Sequence, residues 1–256
     1  MGDARVLALV PARGGSKALP GKNIYPFCGL PLLAHTLLCA KLVPEISRVV
    51  VSSDSPEILS VAAQYGPAVR LARPLELATD ESPVWDTVRH ALVCVEDQEN
   101  SYYEYLVLLE ATSPLRKPRW VSEAIALLVA NPEIDGVHGV SEVTPNPVWN
   151  AMVLGGDGRL EYLIPSGRFY HRRQDVPPTY RMDGSLHVWR TRFIRQAETG
   201  YQWGKYLGYV TDPARACSID VLQDLKQAEW LVTHEGIALD WLDKEGPYRE
   251  AGACGE

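Results

Sequence analysis

Val6-Leu7-Ala8-Leu9-Val10-Pro11-Ala12-Arg13-Gly14-Gly15-Ser16-Lys17, continued by Gly21-Lys22-Asn23, is the stretch on which the reading of this chain turns. Its first five residues are an apolar run that reads as a buried strand. Downstream, Pro31-Leu32-Leu33-Ala34-His35-Thr36-Leu37-Leu38 reads as a helix. A glycine-rich loop with one arginine and two lysines thus leaves the carboxyl end of the first strand, where open α/β sheets bind ligands. Glycines let backbone N–H groups approach phosphate oxygens, and fixed cations offset the phosphate charge. Such a loop suits a nucleoside triphosphate and can stabilise charge building on phosphorus and on departing pyrophosphate. Taken alone, it is also compatible with a flexible basic turn. Neither common nucleotide motif is present. Adjacent Gly14 and Gly15 break Gly-x-Gly-x-x-Gly, and Asn23 stands where a P-loop needs Ser or Thr.

Outward from this loop, the chain alternates strand and helix. Arg48 to Ser53 reads as a second strand, Pro56 to Tyr65 as a helix with Ser55 at its N-cap, and Val69 to Leu71 as a short third strand. Ser82 is placed to cap a helix running through Ala91 and Val95, with Pro83 in its first turn. Tyr105 to Leu109 is a continuous apolar run suited to a central parallel strand, and Pro118 to Ala130 is helical. The fold class expected is α/β, a Rossmann-like mostly parallel sheet with helices on both faces. Near residue 135 the character changes. Val143 to Thr179 is rich in proline and carries Gly155-Gly156-Asp157-Gly158, the composition of an excursion of short strands and loops. The parallel pattern is expected to return at Ser185 to Trp189 and Tyr206 to Val210, with Val221 to His234 as the closing helix.

The whole chain bounds these readings. Its 256 residues suit one large domain, and 46% apolar with 22% charged residues is ordinary for a globular protein. A net charge of −7 argues against a nucleic-acid surface, so an anionic substrate needs a local cluster of cations. Five scattered cysteines without a Cys-x-x-Cys pair indicate neither a zinc site nor a disulfide framework. With no signal-peptide or membrane-spanning pattern, the cytoplasm is the expected location.

Pro11-Ala12-Arg13-Gly14-Gly15-Ser16-Lys17 … Lys22-Asn23 resembles the entry loop of the CMP-sialic acid synthetase (acylneuraminate cytidylyltransferase) family. Further matches follow in the family's order. They are Leu71 to Asp80, Leu109-Glu110-Ala111-Thr112-Ser113-Pro114-Leu115-Arg116, Arg173-Gln174, Arg181-Met182-Asp183-Gly184 and Ser218-Ile219-Asp220 with Asp224-Leu225. The resemblance spans residues 4–235. It implies a nucleotidyltransferase domain over 1–238, with a protruding dimerisation and acceptor-binding excursion at 140–182 and a peripheral tail at 239–256. It also implies a homodimer in which one subunit's excursion can reach the other's site.

Arg13 and Lys22 are the strongest candidates for catalysis, the first for forked contacts to phosphate oxygens and the second as a compact point charge. Ala12, Gly14, Gly15, Ser16 and Asn23 would complete the nucleotide cradle, while Lys17 equally suits solvent. By resemblance, Arg73 and Ser82 contact the nucleotide. Asp220 is the expected Mg2+ ligand, since magnesium takes few carboxylates together with phosphate oxygens and water. The family usually has Asp-Ile-Asp here, whereas this chain has Ser218-Ile219-Asp220, leaving Asp224 or Glu110 as possible helpers. Asp224 otherwise serves the start of the closing helix.

For the acceptor, the resemblance implies Glu110, Thr112, Ser113, Arg116, Arg173, Gln174, Arg181 and Asp183. A solvated basic stretch is the alternative for the arginines, because Arg168, His171 and Arg172 lie nearby. Glu110 and Asp183 replace the family's common glutamine and asparagine. Ionised carboxylates only accept hydrogen bonds, so the pair suggests an acceptor rich in donors, such as a free amine or extra hydroxyls. The reaction expected is CTP plus a 2-keto sugar acid of the nonulosonic class, giving a CMP-sugar and pyrophosphate. Another triphosphate such as GTP, or a sugar phosphate acceptor, is the alternative. A non-catalytic nucleotide-binding module is a further one. A dehydrogenase is disfavoured because the dinucleotide fingerprint is absent.

Overall fold

The computed structural model describes residues 5–66, 68–198 and 204–242. In chain order the elements are β1 (Val6–Pro11), the small hairpin β2 (Pro26–Phe27) and β3 (Leu30–Pro31), α1 (Leu32–Lys41), β4 (Ile46–Ser53), α2 (Pro56–Ala63), β5 (Val69–Ala72), α3 (Val84–Glu99), β6 (Tyr105–Leu108) and α4 (Pro118–Ala130). After these come β7 (Gly136–Glu142), α5 (Pro147–Asn150), the hairpin β8 (Met152–Leu154) and β9 (Leu160–Tyr162), β10 (Tyr180–Arg190), α6 (Thr191–Gln196), β11 (Tyr206–Val210) and α7 (Leu222–Thr233). The main sheet has the strand order β11-β7-β10-β6-β1-β4-β5.

β1 lies between β4 and β6, parallel to both, which is why its sequence is apolar without interruption. Its side chains alternate between two layers. Val6, Ala8 and Val10 pack with Leu33, Leu37, Val121 and Ile125 from α1 and α4. Leu7 and Leu9 pack with Trp85, Val88 and Leu92 from α3 and with Ile194 from α6. Helices therefore cover both faces, as the alternation of elements predicts. A third, smaller core joins Leu19 of the glycine-rich loop, Phe27, Leu32, Leu115, Ile219, Leu225 and Leu239. It fastens that loop to α7.

Three expectations are corrected. The strand over Ser185 to Trp189 does not resume the parallel pattern: β10 runs antiparallel to both β6 and β7. Ser82 does not cap α3, whose N-cap is Pro83 without a side-chain bond. Instead its hydroxyl donates to Glu76 O at 2.6 Å and shares a bond with Thr79 Oγ1, so it braces the preceding turn. The tail expected from 239 starts inside the core, because Leu239 is buried and Trp241 Nε1 donates to His35 Nδ1 at 3.0 Å. Residues 243–256 lie outside the described residues. Ser55 caps α2 as expected, its hydroxyl accepting from Ile58 N. Among the described residues, no helix is long and apolar enough to cross a membrane.

Candidate active site

The chain leaves β1 outward to β4 and β5, then returns to β6 on the other side of β1. Such a switch opens a crevice beyond the carboxyl ends of the strands. A cleft of about 250 Å³ occupies it, lined by Pro11, Arg13, Lys22, Asn23, Arg73, Thr79, Asp80, Ser82, Glu110 and Thr112, among others. Seven predicted site residues thus share one cleft: Arg13, Lys22, Asn23, Arg73, Ser82, Glu110 and Thr112.

The glycine-rich loop is held from below. Ala12 N donates to Ser52 O at 3.0 Å, Gly14 N to Asp54 Oδ1 at 2.9 Å and Asn23 Nδ2 to Arg13 O at 2.9 Å. A β-carbon on Gly14 would lie 3.1 Å from Ser55 Cβ, so this close approach favours glycine. Ser16 N turns back to Gly14 O. The N–H groups of Ala12, Gly14 and Ser16, expected to cradle phosphate, are therefore spent on shaping the loop. Gly15 has open space beside it.

All three loop cations meet carboxylates. Lys22 Nζ lies 2.8 Å from Asp220 Oδ1. Arg13 Nη1 lies 2.8 Å from Asp80 Oδ1 and Lys17 Nζ 2.6 Å from Asp80 Oδ2. The Lys17 ammonium, with Arg13 beside it, holds the Asp80 carboxyl below its usual range. Arg73 extends over the end of β4, its Nε donating to Ser52 Oγ and its Nη2 to Ser52 O at 2.6 Å.

Asp220 stands beside the cleft-lining Lys22 because Ile219 is buried and its N–H donates to Thr112 O at 2.8 Å. Asp224 accepts from Asp220 N and Val221 N at 2.8 and 2.9 Å, both on Oδ2, so this carboxylate starts α7. The Asp220 side chain is 68% exposed, with Ser218 Oγ donating to Oδ2 at 3.4 Å. One open carboxylate, already beside a cation at Lys22, fits a magnesium ion that takes its other oxygens from phosphates and water. Among the described residues, no group of three or more His, Cys, Asp or Glu side chains is arranged to hold a metal.

The acceptor residues divide. Glu110 faces the cleft with Thr112 Oγ1 donating to its Oε2 at 3.3 Å, and burial raises its pKa against the pull of Arg116. Asp183 turns inward instead, accepting from Ser185 N at 2.9 Å and from Thr211 Oγ1. Arg116 is 2% exposed and spends its guanidinium on Ser185 O, Thr36 Oγ1 and Glu110 O. Ser113 is also buried. Contrary to expectation, Asp183 and Arg116 thus bond within the protein and Ser113 is buried, and none of the three lines the cleft. Arg173 and Gln174 are exposed on a 3₁₀ turn, Arg173–Asp175, and Arg181 Nη2 donates to Ala216 O at 3.1 Å. None of those three lines the cleft. The sequence motifs do not single out Thr79 and Asp80, which line the cleft, or Asp54, which holds Gly14 N; Asp80 closes the Leu71 to Asp80 stretch.

A crevice at the switch point, edged by cations and one open carboxylate, suits a nucleotidyltransferase. Residues 7–237 match the cytidylyltransferase family, and the chain belongs to it. The chain is 34% identical over 199 residues to CMP-N,N'-diacetyllegionaminic acid synthase of Legionella pneumophila, covering 77% of this chain and 83% of that protein. It is 28% identical to pseudaminic acid cytidylyltransferase of Campylobacter jejuni, over 90% of this chain and 97% of the relative. In fold it is similar to CMP:2-keto-3-deoxy-manno-octonic acid synthetase complexed with CTP, at TM-score 0.67 and 16% identity, over 90% of this chain and 99% of the other.

Proposed function

We propose that the protein activates a nonulosonic 2-keto sugar acid with CTP, forming a CMP-sugar and releasing pyrophosphate. The observation that carries this is the convergence of Arg13, Lys22 and Arg73 on one cleft, with Asp220 opposite Lys22. The anomeric hydroxyl of the sugar attacks the α-phosphorus as pyrophosphate departs. Arg13 and Lys22 neutralise the charge that grows on the phosphates, and the rigid loop keeps them in place before the reaction begins. Asp220 would hold Mg2+, which supplies Lewis-acid charge to the phosphate oxygens. Glu110, which lines the cleft, would meet the acceptor and favour a donor group on the sugar. Asp183, bonded internally, makes no such demand.

The protein is proposed to be cytoplasmic and to work as a homodimer. The β8–β9 hairpin exposes Val153, Leu154, Leu160 and Leu163, and an isolated two-stranded hairpin is marginal unless it packs against something. A partner's excursion would bring Arg173 and Gln174 toward a cleft that they do not line within their own chain.

The test is pyrophosphate release with magnesium, crossing four nucleoside triphosphates with sugar acids and sugar phosphates. Turnover with CTP and a nonulosonic acid is expected. Turnover confined to GTP or to a sugar phosphate would overturn the substrate assignment. If N-acetylneuraminic acid were the best acceptor, the role given to Glu110 would fall.

A further inference from the structure

Asp80 occupies an unusual place among the cleft residues. Its two carboxylate oxygens go to two different loop cations, Arg13 and Lys17, at 2.8 and 2.6 Å. The Lys17 side chain is 86% exposed, so little besides this pair fixes its ammonium beside the cleft-lining Asp80. Arg13 Nη1 also donates to Thr79 O at 3.1 Å. The turn bearing Thr79 and Asp80 is itself braced, because Ser82 N donates to Thr79 Oγ1 at 3.1 Å and Ser82 Oγ to Glu76 O. Two lips of the cleft are thereby tied by one anion. A triphosphate seated on the same cations would bring several negative charges next to Asp80, and like charges at such range repel.

We propose that Asp80 is a positioning carboxylate that preorganises Arg13 and Lys17, then yields both to the incoming triphosphate and so sets nucleotide affinity by competition. This rests on the nucleotidyltransferase reading above. Because the competitor is a charge, the effect falls on ligands in proportion to their phosphates. It also acts on release: the carboxylate that must be displaced on entry helps to expel pyrophosphate afterwards.

The experiment is calorimetric titration of the full chain and of Asp80→Asn with CTP, inorganic tripolyphosphate and cytidine, alongside steady-state kinetics. The variant is expected to bind CTP and tripolyphosphate roughly two- to fivefold tighter, the scale of one exposed ion pair. Cytidine affinity should not change, KM for CTP should fall, and kcat should fall with slower pyrophosphate release. Asp80→Glu, which keeps the charge, should restore the original affinity. Equal or weaker binding of tripolyphosphate by Asp80→Asn would overturn the proposal, since an ordinary structural role for Asp80 gives that result. If Asp80→Asn does not fold, Asp80→Ser is read in the same way. Failure of the unaltered protein to bind CTP would sink the nucleotide reading itself. Binding without a gain in the variant sinks only the role of Asp80.

Discussion

Lys22 and Asp220 meet at 2.8 Å although 198 positions separate them in the chain. The contact depends on two small supports, the Ile219 N–H on Thr112 O and Leu19 packed in the same core as Ile219. Lys22→Met keeps the stem and removes the charge. It should lower kcat by roughly 10²- to 10³-fold, the usual cost of losing one preorganised group on a developing anion. An unchanged kcat in the pyrophosphate-release assay would remove Lys22 from the chemistry. Arg116 is the opposite case, a charge that looks functional in the sequence and is structural in the fold. Its three acceptors lie on α1, on β10 and at the end of β6. Arg116→Met removes the buried donor to Ser185 O and Thr36 Oγ1 and leaves Glu110 O only the long bonds from Thr36 Oγ1 and Ser113 N, with an expected loss of about 2 kcal/mol or more in urea denaturation. A variant as stable as the parent would return Arg116 to the list of acceptor ligands.

At the scale of elements, what the sequence revealed depended on whether the signal was local. β1, β4, β6 and the helices between them were legible because burial on two faces imposes unbroken apolar runs, and capping residues such as Ser55 mark helix starts. Strand direction is not local. The residues of Ser185 to Trp189 announce a strand, but its antiparallel course follows from the excursion that replaces a crossover helix before it. Ser82 misled for a similar reason, since Pro83 takes the N-cap and the serine is drawn into bonds with Glu76 and Thr79. The reversed strand has a thermodynamic consequence. It sets His187 opposite His138, Nδ1 to Nδ1 at 2.8 Å. Burial lowers His138 to about 4 and, with His138 and Arg116 nearby, His187 to about 3. Both values lie below the unfolded value of about 6.5, so the unfolded chain binds the extra protons. Stability from this pair is full above about pH 6.5 and is lost as pH falls towards 4. The loss should be on the order of 2 kcal/mol per ring at pH 5. Urea midpoints measured from pH 8 to 5 should fall across that window, and a flat profile would show that the rings titrate normally.

For the molecule as a whole, the cleft was half legible. Arg13, Lys22, Arg73, Glu110 and Thr112 sit in motifs whose spacing survives in one dimension, whereas Asp80, Thr79 and Asp54 acquire meaning only when separate loops meet above the sheet. The same limit applies between subunits. Arg173 and Gln174 match acceptor-binding positions yet are exposed on the excursion, away from the cleft of their own chain. The excursion also carries an apolar surface, with Leu154 at 68% and Leu160 at 62% exposure on paired strands. Contiguous exposed apolar residues of this kind mark association surfaces. If two copies pair there, each supplies acceptor arginines to the other and activity requires the dimer. The double substitution Leu154→Glu and Leu160→Glu places like charges directly opposite each other in the β8–β9 register, on the surface that would be buried. Sedimentation velocity should then show a monomer in place of a dimer, with the fold intact by circular dichroism. KM for the sugar acid should rise at least tenfold, while CTP affinity, which depends on residues of one chain, should change little. A monomeric variant with undiminished acceptor affinity would show that Arg173 and Gln174 do not act across the interface, and a variant that remains dimeric would place the interface elsewhere.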